Sequence, residues 1–358
     1  MAQMGEVMNK VSTLTANGNA ENVPVTIGID LAKNVFAIHG VNRFGKPVLV
    51  KPNVRRDQLL ELMAQLPPCV VGMEACSGAH HWARELTGLG HTPRLMAPKF
   101  VIPYRMQGKR GKNDANDAAA ICEAVTRPAM RFVPIKSIDA QAILTLHRVR
   151  HGFVEERTAI INRIRGLMSE FGVILPQRAE VIRKQAQLAA ERLPGWAASA
   201  VYDLLAHMVT LDMRVAEYDE HIKRMAHADE RCKRLMALPG IAHVTASALV
   251  ASISNGHDFK NGRQLAAWLG LVPGQYGSGG KVKLGHITKA GDRYLRTLLI
   301  LGARAMLANA ARKSDHISRW AVALQARAGY GKALVAIAAK NARIAWALLA
   351  KGETFKPA

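Results

Sequence analysis

Residues 23–53 read VPVTIGIDLAKNVFAIHGVNRFGKPVLVKPN, and the way this stretch breaks decides the fold of the first third of the chain. Two β-branched runs are split near Lys33-Asn34, and a third follows the turn Asn42-Arg43-Phe44-Gly45-Lys46. That is the pattern of a three-stranded antiparallel meander. An amphipathic helix over about 55–66 comes next. A fourth apolar run, CVVGMEA (69–75), a helix opened by Ser77 and a fifth short strand within TPRLMAP follow. The expected order is βββαβαβα.

Beyond about residue 139 the period changes. Leu146, Val149, Phe153, Ile160, Ile164, Leu167 and Phe171 recur at threes, fours and a seven, which is a heptad seam on a long helix. A polar helical segment after Pro176 leads to Leu193-Pro194-Gly195, and Val201, Leu204, Met208, Leu211, Val215, Tyr218, Ile222 and Met225 then repeat the spacing. Matching seams predict an antiparallel hairpin or a coiled-coil contact between subunits. From Arg234 the chain reads LMALPGIAHVTASALVASI, two apolar helices about a Pro-Gly-Ile turn. Such a pair either presents backbone amides to a phosphate or is a plain helical hairpin. An Ala-rich run expected to be packed core closes the chain. The expected division is a disordered tail 1–22, an α/β domain 23–138, a helical coiled-coil segment 139–230 and a mainly α domain 231–358.

The 358 residues carry 49 Lys and Arg against 27 Asp and Glu, a formal net charge of +22. That excess favours a polyanionic partner, nucleic acid first. A membrane surface is the other polyanion, but the sequence offers no long uninterrupted apolar span and no signal-peptide core near its start, so a cytosolic protein is expected. Cys69, Cys76, Cys122 and Cys232 form no C-x-x-C pair and read as buried free thiols in a reducing compartment.

Four acids stand out in the first domain. Asp30 ends the first predicted strand and Glu74 lies near the end of the fourth. Asp114 and Asp117, three apart in GKNDANDAAAI, share one face of a predicted helix. Singly, each has an ordinary explanation: a helix cap, a first-turn acid, a turn residue or an ion pair. Together, in this element order, they have the layout of the ribonuclease H-like nuclease fold. Four clustered carboxylates repel one another, so the arrangement calls for a neutralising cation, and hard oxygen donors suit Mg²⁺ or Mn²⁺. Paired ions of that kind serve phosphodiester chemistry. Residues 86–113 add Arg94, Lys99, Arg105, Lys109, Arg110 and Lys112 with no acid. This run either tracks a phosphate backbone toward the acids or is a solvated basic loop.

IGIDLAK, GMEACSGAHHWARELTGLGH and GKNDANDAAAI resemble the three acidic blocks of the DEDD transposases of the insertion sequence 110 family, relatives of the Piv-type DNA invertases. LPGIAHVTASALVA and LVPGQYGSGGKVKLGHITKAGDRYLR resemble that family's C-terminal domain. The resemblance implies an N-terminal α/β RuvC/ribonuclease H-like domain holding Mg²⁺ on Asp30, Glu74, Asp114 and Asp117, a helical coiled-coil segment, and a mainly α C-terminal transposase domain. It also implies a nucleophilic serine matching Ser278, which forms a covalent serine–DNA intermediate while the acids of another subunit complete the site. The partners implied are DNA, as element ends and target, and, for some members, a structured guide RNA encoded by the element. A tetramer (a dimer of dimers) is expected, in a bacterial cytoplasm at the nucleoid.

From its residues alone, GSGGK (277–281) reads as a flexible loop that lets the backbone approach a phosphate. It is not a Walker A loop, because Gln275 stands where the first glycine belongs and Val282 follows the lysine. Many relatives have a second serine just before this position, where this chain has Gly277. Lys281, Lys283, Lys289, Arg293 and Arg296 are the expected phosphate contacts of this region, together with Lys109, Arg110 and Lys112 in the first domain. Tyr276 and Trp268 either stack on bases or pack against the loop. The rival activities are a junction-resolving, metal-dependent endonuclease that uses water, a non-catalytic nucleic-acid scaffold, and an actin-like ATPase suggested by IGIDLAK.

Overall fold

The structure, a computed structural model, describes residues 21–105 and 113–356. The expected tail (1–22) lies almost wholly outside the described residues, and so do Lys109, Arg110 and Lys112. The chain divides into two compact units, Met1–Lys136 and Ser137–Ala358.

In the first unit, β1 (Thr26–Asp30), β2 (Val35–Val41) and β3 (Pro47–Arg55) form the expected meander. Helix α1 (Leu59–Ala64), β4 (Val70–Glu74), α2 (Ala79–Gly88), β5 (Thr92–Met96), the short α3 (Pro98–Val101) and α4 (Asp114–Val125) follow. The sheet order is β3-β2-β1-β4-β5-β6, with β1, β4 and β5 parallel. The edge strand β6 (Phe132–Val133) pairs antiparallel with β5. It was not expected, since two residues carry no periodicity. Helix α2 is not opened by Ser77: its N-cap is Gly78, at φ +83°, and no side chain caps it.

Alternation along the central strands sorts the two faces of the sheet. Ile27, Ile29, Val71 and Met73 point to one side, where they pack with Leu59 and Met63 of α1 and Trp82 and Leu86 of α2. On the other side Met96 packs with Val101, Ile121 and Val125. Burial of such aliphatic side chains stabilises the fold by about 1.5–3 kcal/mol each.

The second unit begins with α5 (Ile138–Glu170), α6 (Ala179–Ala190) and α7 (Gly195–Ala228). Arg150 pairs with Asp219 at 2.5 Å and Arg157 with Asp212 at 2.9 Å. Moving up α5 therefore moves down α7, and the two are antiparallel within one chain. Ile160, Ile164, Val201, Met208 and Leu211 are buried as the seams predict, but Ile182 and Ala186 of α6 join them. That third helix changes which side chains are covered: Met168 is buried, while Leu167 and Phe171 are 40 % and 48 % exposed.

The remainder comprises α8 (Glu230–Met236), α9 (His243–Ile253), α10 (Gly262–Trp268), a hairpin of β7 (Pro273–Ser278) and β8 (Lys281–Ile287), α11 (Arg293–Ala310), α12 (His316–Ala328) and α13 (Tyr330–Ala350). Helix α13 passes for a membrane span by length and mean hydropathy, but Lys340, Asn341 and Arg343 interrupt it, in keeping with the expectation of no uninterrupted apolar span. It packs in the core through Ala333, Ile337, Ala342, Ala345 and Leu348. The Pro-Gly-Ile turn is also core. Buried Asn341 donates its Nδ2 to the Pro239 carbonyl at 2.9 Å, and a Cβ on Gly240 would lie 2.7 Å from the Gly302 carbonyl oxygen. One side of this turn is packed as in a helical hairpin.

A buried polar network ties the long helices to the rest of this unit. The ring of His147 is 3.0 Å from Tyr294 Oη through Nδ1 and 3.0 Å from Ser247 Oγ through Nε2. Burial, aided by nearby Arg150, pushes the pKa of His147 down to about 4.

Candidate active site

Two glycines set the height of α4 over the sheet. Gly28 of β1 and Gly72 of β4 are register partners on neighbouring parallel strands. A Cβ on Gly28 would run into the Ala118 carbonyl and the Cys122 backbone, and one on Gly72 would lie 2.8 Å from Val125 Cβ. The missing side chains form a groove in which the helix rests directly on the strands. Helix α4 starts at an N-cap, Asn113, whose Oδ1 accepts from the Asn116 amide at 2.8 Å. Asp114 and Asp117 are therefore first-turn acids favoured by the helix dipole, and the cap belongs to their neighbour.

This seating brings the first turn of α4 to the ends of β1 and β4, where Asp30 and Glu74 stand. Burial raises the pKa of Asp30 to about 6, with further contributions from the charges of Asp117, Asp114 and Glu74. Burial likewise raises Glu74, with Asp117 adding to the shift and Arg105 opposing it. The four acids expected from the sequence thus share one electrostatic neighbourhood. The Arg105 guanidinium lies between two of them, with Nη2 2.8 Å from Glu74 Oε1 and Nε 3.2 Å from Asp117 Oδ1. The second contact is an ion pair without hydrogen-bond geometry, leaving the buried Nε unsatisfied.

Among the described residues, no group of three or more acidic, His or Cys side chains is already drawn together to hold a metal. The donor set nevertheless fits a hard dication. Arg105 pairs with two of the four carboxylates, and the burial and neighbouring negative charge that hold Asp30 at about 6 are offset by added positive charge. Arg105, read from the sequence as one more backbone-tracking cation, is the counter-ion here. No sequence signal distinguished it from its basic neighbours.

Ser278 lies in the second unit, and its setting differs from the flexible loop expected. Gly279 (φ +54°) and Gly280 (φ +78°) form a two-residue turn that closes the β7–β8 hairpin, and Ser278 pairs with Lys281 across it. Two left-handed residues in succession suit a tight hairpin turn, which glycine alone enters without strain. Directly paired residues share a face, and so do residues two apart on one strand. The Ser278↔Lys281 and Tyr276↔Lys283 pairs therefore lie on the same side. The exposed Tyr276 ring rests over Gly274 and Gly285, its Cε2 3.9 and 3.5 Å from where their Cβ atoms would be.

Other expected contacts divide. Lys281, Lys283, Lys289 and Arg293 are exposed. Arg296 is not available in the same way: its Nη1 donates to the Leu269 and Ala290 carbonyls, each at 3.0 Å, and ties the segment after β8 to the end of α10. Trp268 packs edge-on to Phe259 at 5.5 Å. Of the four free thiols, Cys69, Cys122 and Cys232 are buried as expected and Cys76, beside Glu74, is exposed.

A family model described as "Transposase", of the DEDD insertion-sequence-110 type, matches residues 27–172, and one described as "Transposase IS116/IS110/IS902 family" matches residues 232–317. The chain is 47 % identical over 336 residues to a Pseudomonas aeruginosa protein named "Probable family 20 transposase", covering 92 % of this chain and 98 % of that one. It is 40 % identical to the Coxiella burnetii transposase for insertion sequence element IS1111A, covering 92 % and 91 %. Against the Yersinia enterocolitica transposase for IS1328 it is 38 % identical, covering 92 % and 98 %.

Proposed function

Because the chain belongs to the IS110 family of transposases, enzymes that cut and rejoin DNA, we propose that it moves an insertion sequence through an acidic quartet and a serine nucleophile. The observation that carries this reading is the convergence of the acids at the ends of β1 and β4, where Arg105 reaches both Glu74 (2.8 Å) and Asp117 (3.2 Å) and the charges of Asp117, Asp114 and Glu74 act on Asp30. The strand order, with β2 antiparallel to a parallel β1-β4-β5 core, supports a RuvC/ribonuclease H-like assignment for this unit.

Asp30, Glu74, Asp114 and Asp117 would hold Mg²⁺ or Mn²⁺, which would supply Lewis-acid stabilisation of charge on phosphate oxygens. Arg105 keeps Glu74 and Asp117 paired when no dication is bound. In the second unit, the Ser278 Oγ forms a bond to phosphorus as the bond from phosphorus to the leaving DNA oxygen breaks. The serine proton passes to solvent or a base, and the leaving oxygen takes up a proton. Attack by a DNA hydroxyl on the phosphoserine ester then forms the new phosphodiester and returns the serine. Lys281 and Lys283, on the face that carries Ser278, hold the negative charge of the phosphate.

The working form is a homotetramer on element ends and target DNA, in the bacterial cytoplasm, directed by a structured RNA of the element. The family membership and the +22 charge support this assembly with polyanions. The test is strand transfer between labelled element-end and target DNA, with Mg²⁺ or with chelator. Joined products that require the dication are expected. Cut strands with free ends and no joining would instead identify a resolvase-like endonuclease that uses water.

A further inference from the structure

A cleft of about 820 Å³ lies at the base of the β7–β8 hairpin, within the second unit. Its floor is apolar, built from Leu271, Val272, Val335 and Ala336 with Trp320 beside them. Arg263, Lys289, Lys332 and Arg343 stand around it, and among the described residues no carboxylate lines it. A site for a purely apolar ligand gains nothing from four cations, and a site for bare phosphate gains nothing from an apolar floor. The combination fits a ligand with a flat apolar body and attached negative charge, which is the chemistry of a nucleotide.

A further observation supports an anionic occupant. Lys289 adopts φ +53°, one of two non-glycine residues in the left-handed region among those described. Its conformation is enforced: its amide donates to the Gly270 carbonyl at 3.2 Å, and Arg296 clamps the Ala290 carbonyl. Backbone strain of this kind persists where it places a functional group, and here it places an exposed lysine at the cleft.

We propose that this cleft seats one unpaired nucleotide of a DNA strand, its base on the apolar floor and its flanking phosphates on the four cations. DNA is the occupant because this family cuts and rejoins DNA strands, and on the proposed function the unpaired strand passes the Ser278 hairpin. Pro273, at the cleft, lies five residues along β7 from Ser278, about 17 Å in an extended strand. If Ser278 takes the scissile phosphate, a premise that rests on the proposed function, the seated nucleotide lies about five stacked positions away.

The proposal is tested by binding alone, with full-length Ser278→Ala protein in chelator, so that failure of the serine chemistry does not affect it. Fluorescence anisotropy is measured with a labelled single-stranded DNA and a set of copies each carrying one abasic position. One abasic position is expected to weaken binding about five- to hundredfold. Ala336→Trp, which fills the floor, should lose affinity by a similar factor, and the two losses should not add. Lys332→Ala, at an exposed position, should weaken every strand and reduce the salt dependence by about one counter-ion. The proposal fails if no abasic position matters, or if folded Ala336→Trp shows the wild-type abasic penalty. It fails equally if RNA of the same sequence displaces the DNA at tenfold lower concentration. Should Ala336→Trp not fold, the abasic scan with Lys332→Ala decides the matter by the same criteria.

Discussion

The acidic quartet and the serine hairpin are held by opposite means. Asp30 and Glu74 terminate strands of a packed sheet, and α4 is pressed onto that sheet by the absence of side chains at Gly28 and Gly72. Packing thus buries Asp30 among like charges, which disfavours its ionised form. Ser278 stands on an exposed ribbon whose geometry comes from one turn, and a Cβ on Gly279 or Gly280 would meet nothing within 4 Å. On the proposed function, the packed, like-charged cluster would take a cation, whereas the exposed Ser278 would act as the nucleophile. The difference teaches that the acidic cluster is stored in a packed core and the hairpin in local backbone conformation.

The largest expected effects separate the two halves by what else is lost. Asp117→Asn and Ser278→Ala should each reduce strand transfer by at least about 10³-fold. Only Asp117→Asn should also weaken Mn²⁺ binding, followed by calorimetry. Equal Mn²⁺ affinity in both variants would break the assignment of metal to the quartet.

Next in size is the groove under α4. Gly28→Val should destabilise the first unit by about 3 kcal/mol or more, because its Cβ meets helix backbone rather than a movable side chain. Gly279→Ala should cost about 1–2 kcal/mol within the hairpin and leave the thermal midpoint of the first unit unchanged. Both are read by differential scanning calorimetry. Comparable midpoint shifts would show that the two halves are not held differently.

The third comparison is in pH, and the two units respond with opposite sign. Asp30 has a folded pKa raised to about 6 from 3.8, so its protonated form favours the metal-free fold, and that contribution is lost as pH rises through about 6. His147 has a folded pKa lowered to about 4 from 6.5, so its contribution is present above 6.5 and is lost as pH falls toward 4. Each slope is at most about 1.4 kcal/mol per pH unit. In denaturant titrations without metal, Asp30→Asn should stabilise at pH 7.5 but not near pH 4. His147→Gln should destabilise at pH 7.5 and progressively less on acidification.

Much of the first unit was legible because its signals are local. The runs of residues 23–53 alternate or bury continuously, Asp30 and Glu74 close their strands, and Asp114 and Asp117 are spaced for one helical face. What was not legible depends on partners distant in sequence. Arg105 looked like one of several phosphate-tracking cations until the fold brought Glu74 and Asp117 to it, and Arg296 until its guanidinium met the Leu269 and Ala290 carbonyls. The hairpin around Ser278 was hidden because seven glycines from Gly270 through Gly291 mask strand propensity and suggest flexibility. The heptad seams placed both long helices, but Leu167 and Phe171 were misread because the pattern of two helices does not announce a third.

The central claim is tested most directly by mixing the protein with end-labelled element DNA in Mg²⁺, quenching in denaturant, and mapping any labelled peptide. A DNA adduct on the peptide containing Ser278 is expected in wild type, with none from Ser278→Ala and little from Asp114→Ala. No adduct in wild type, with recombination surviving Ser278→Ala, would contradict it.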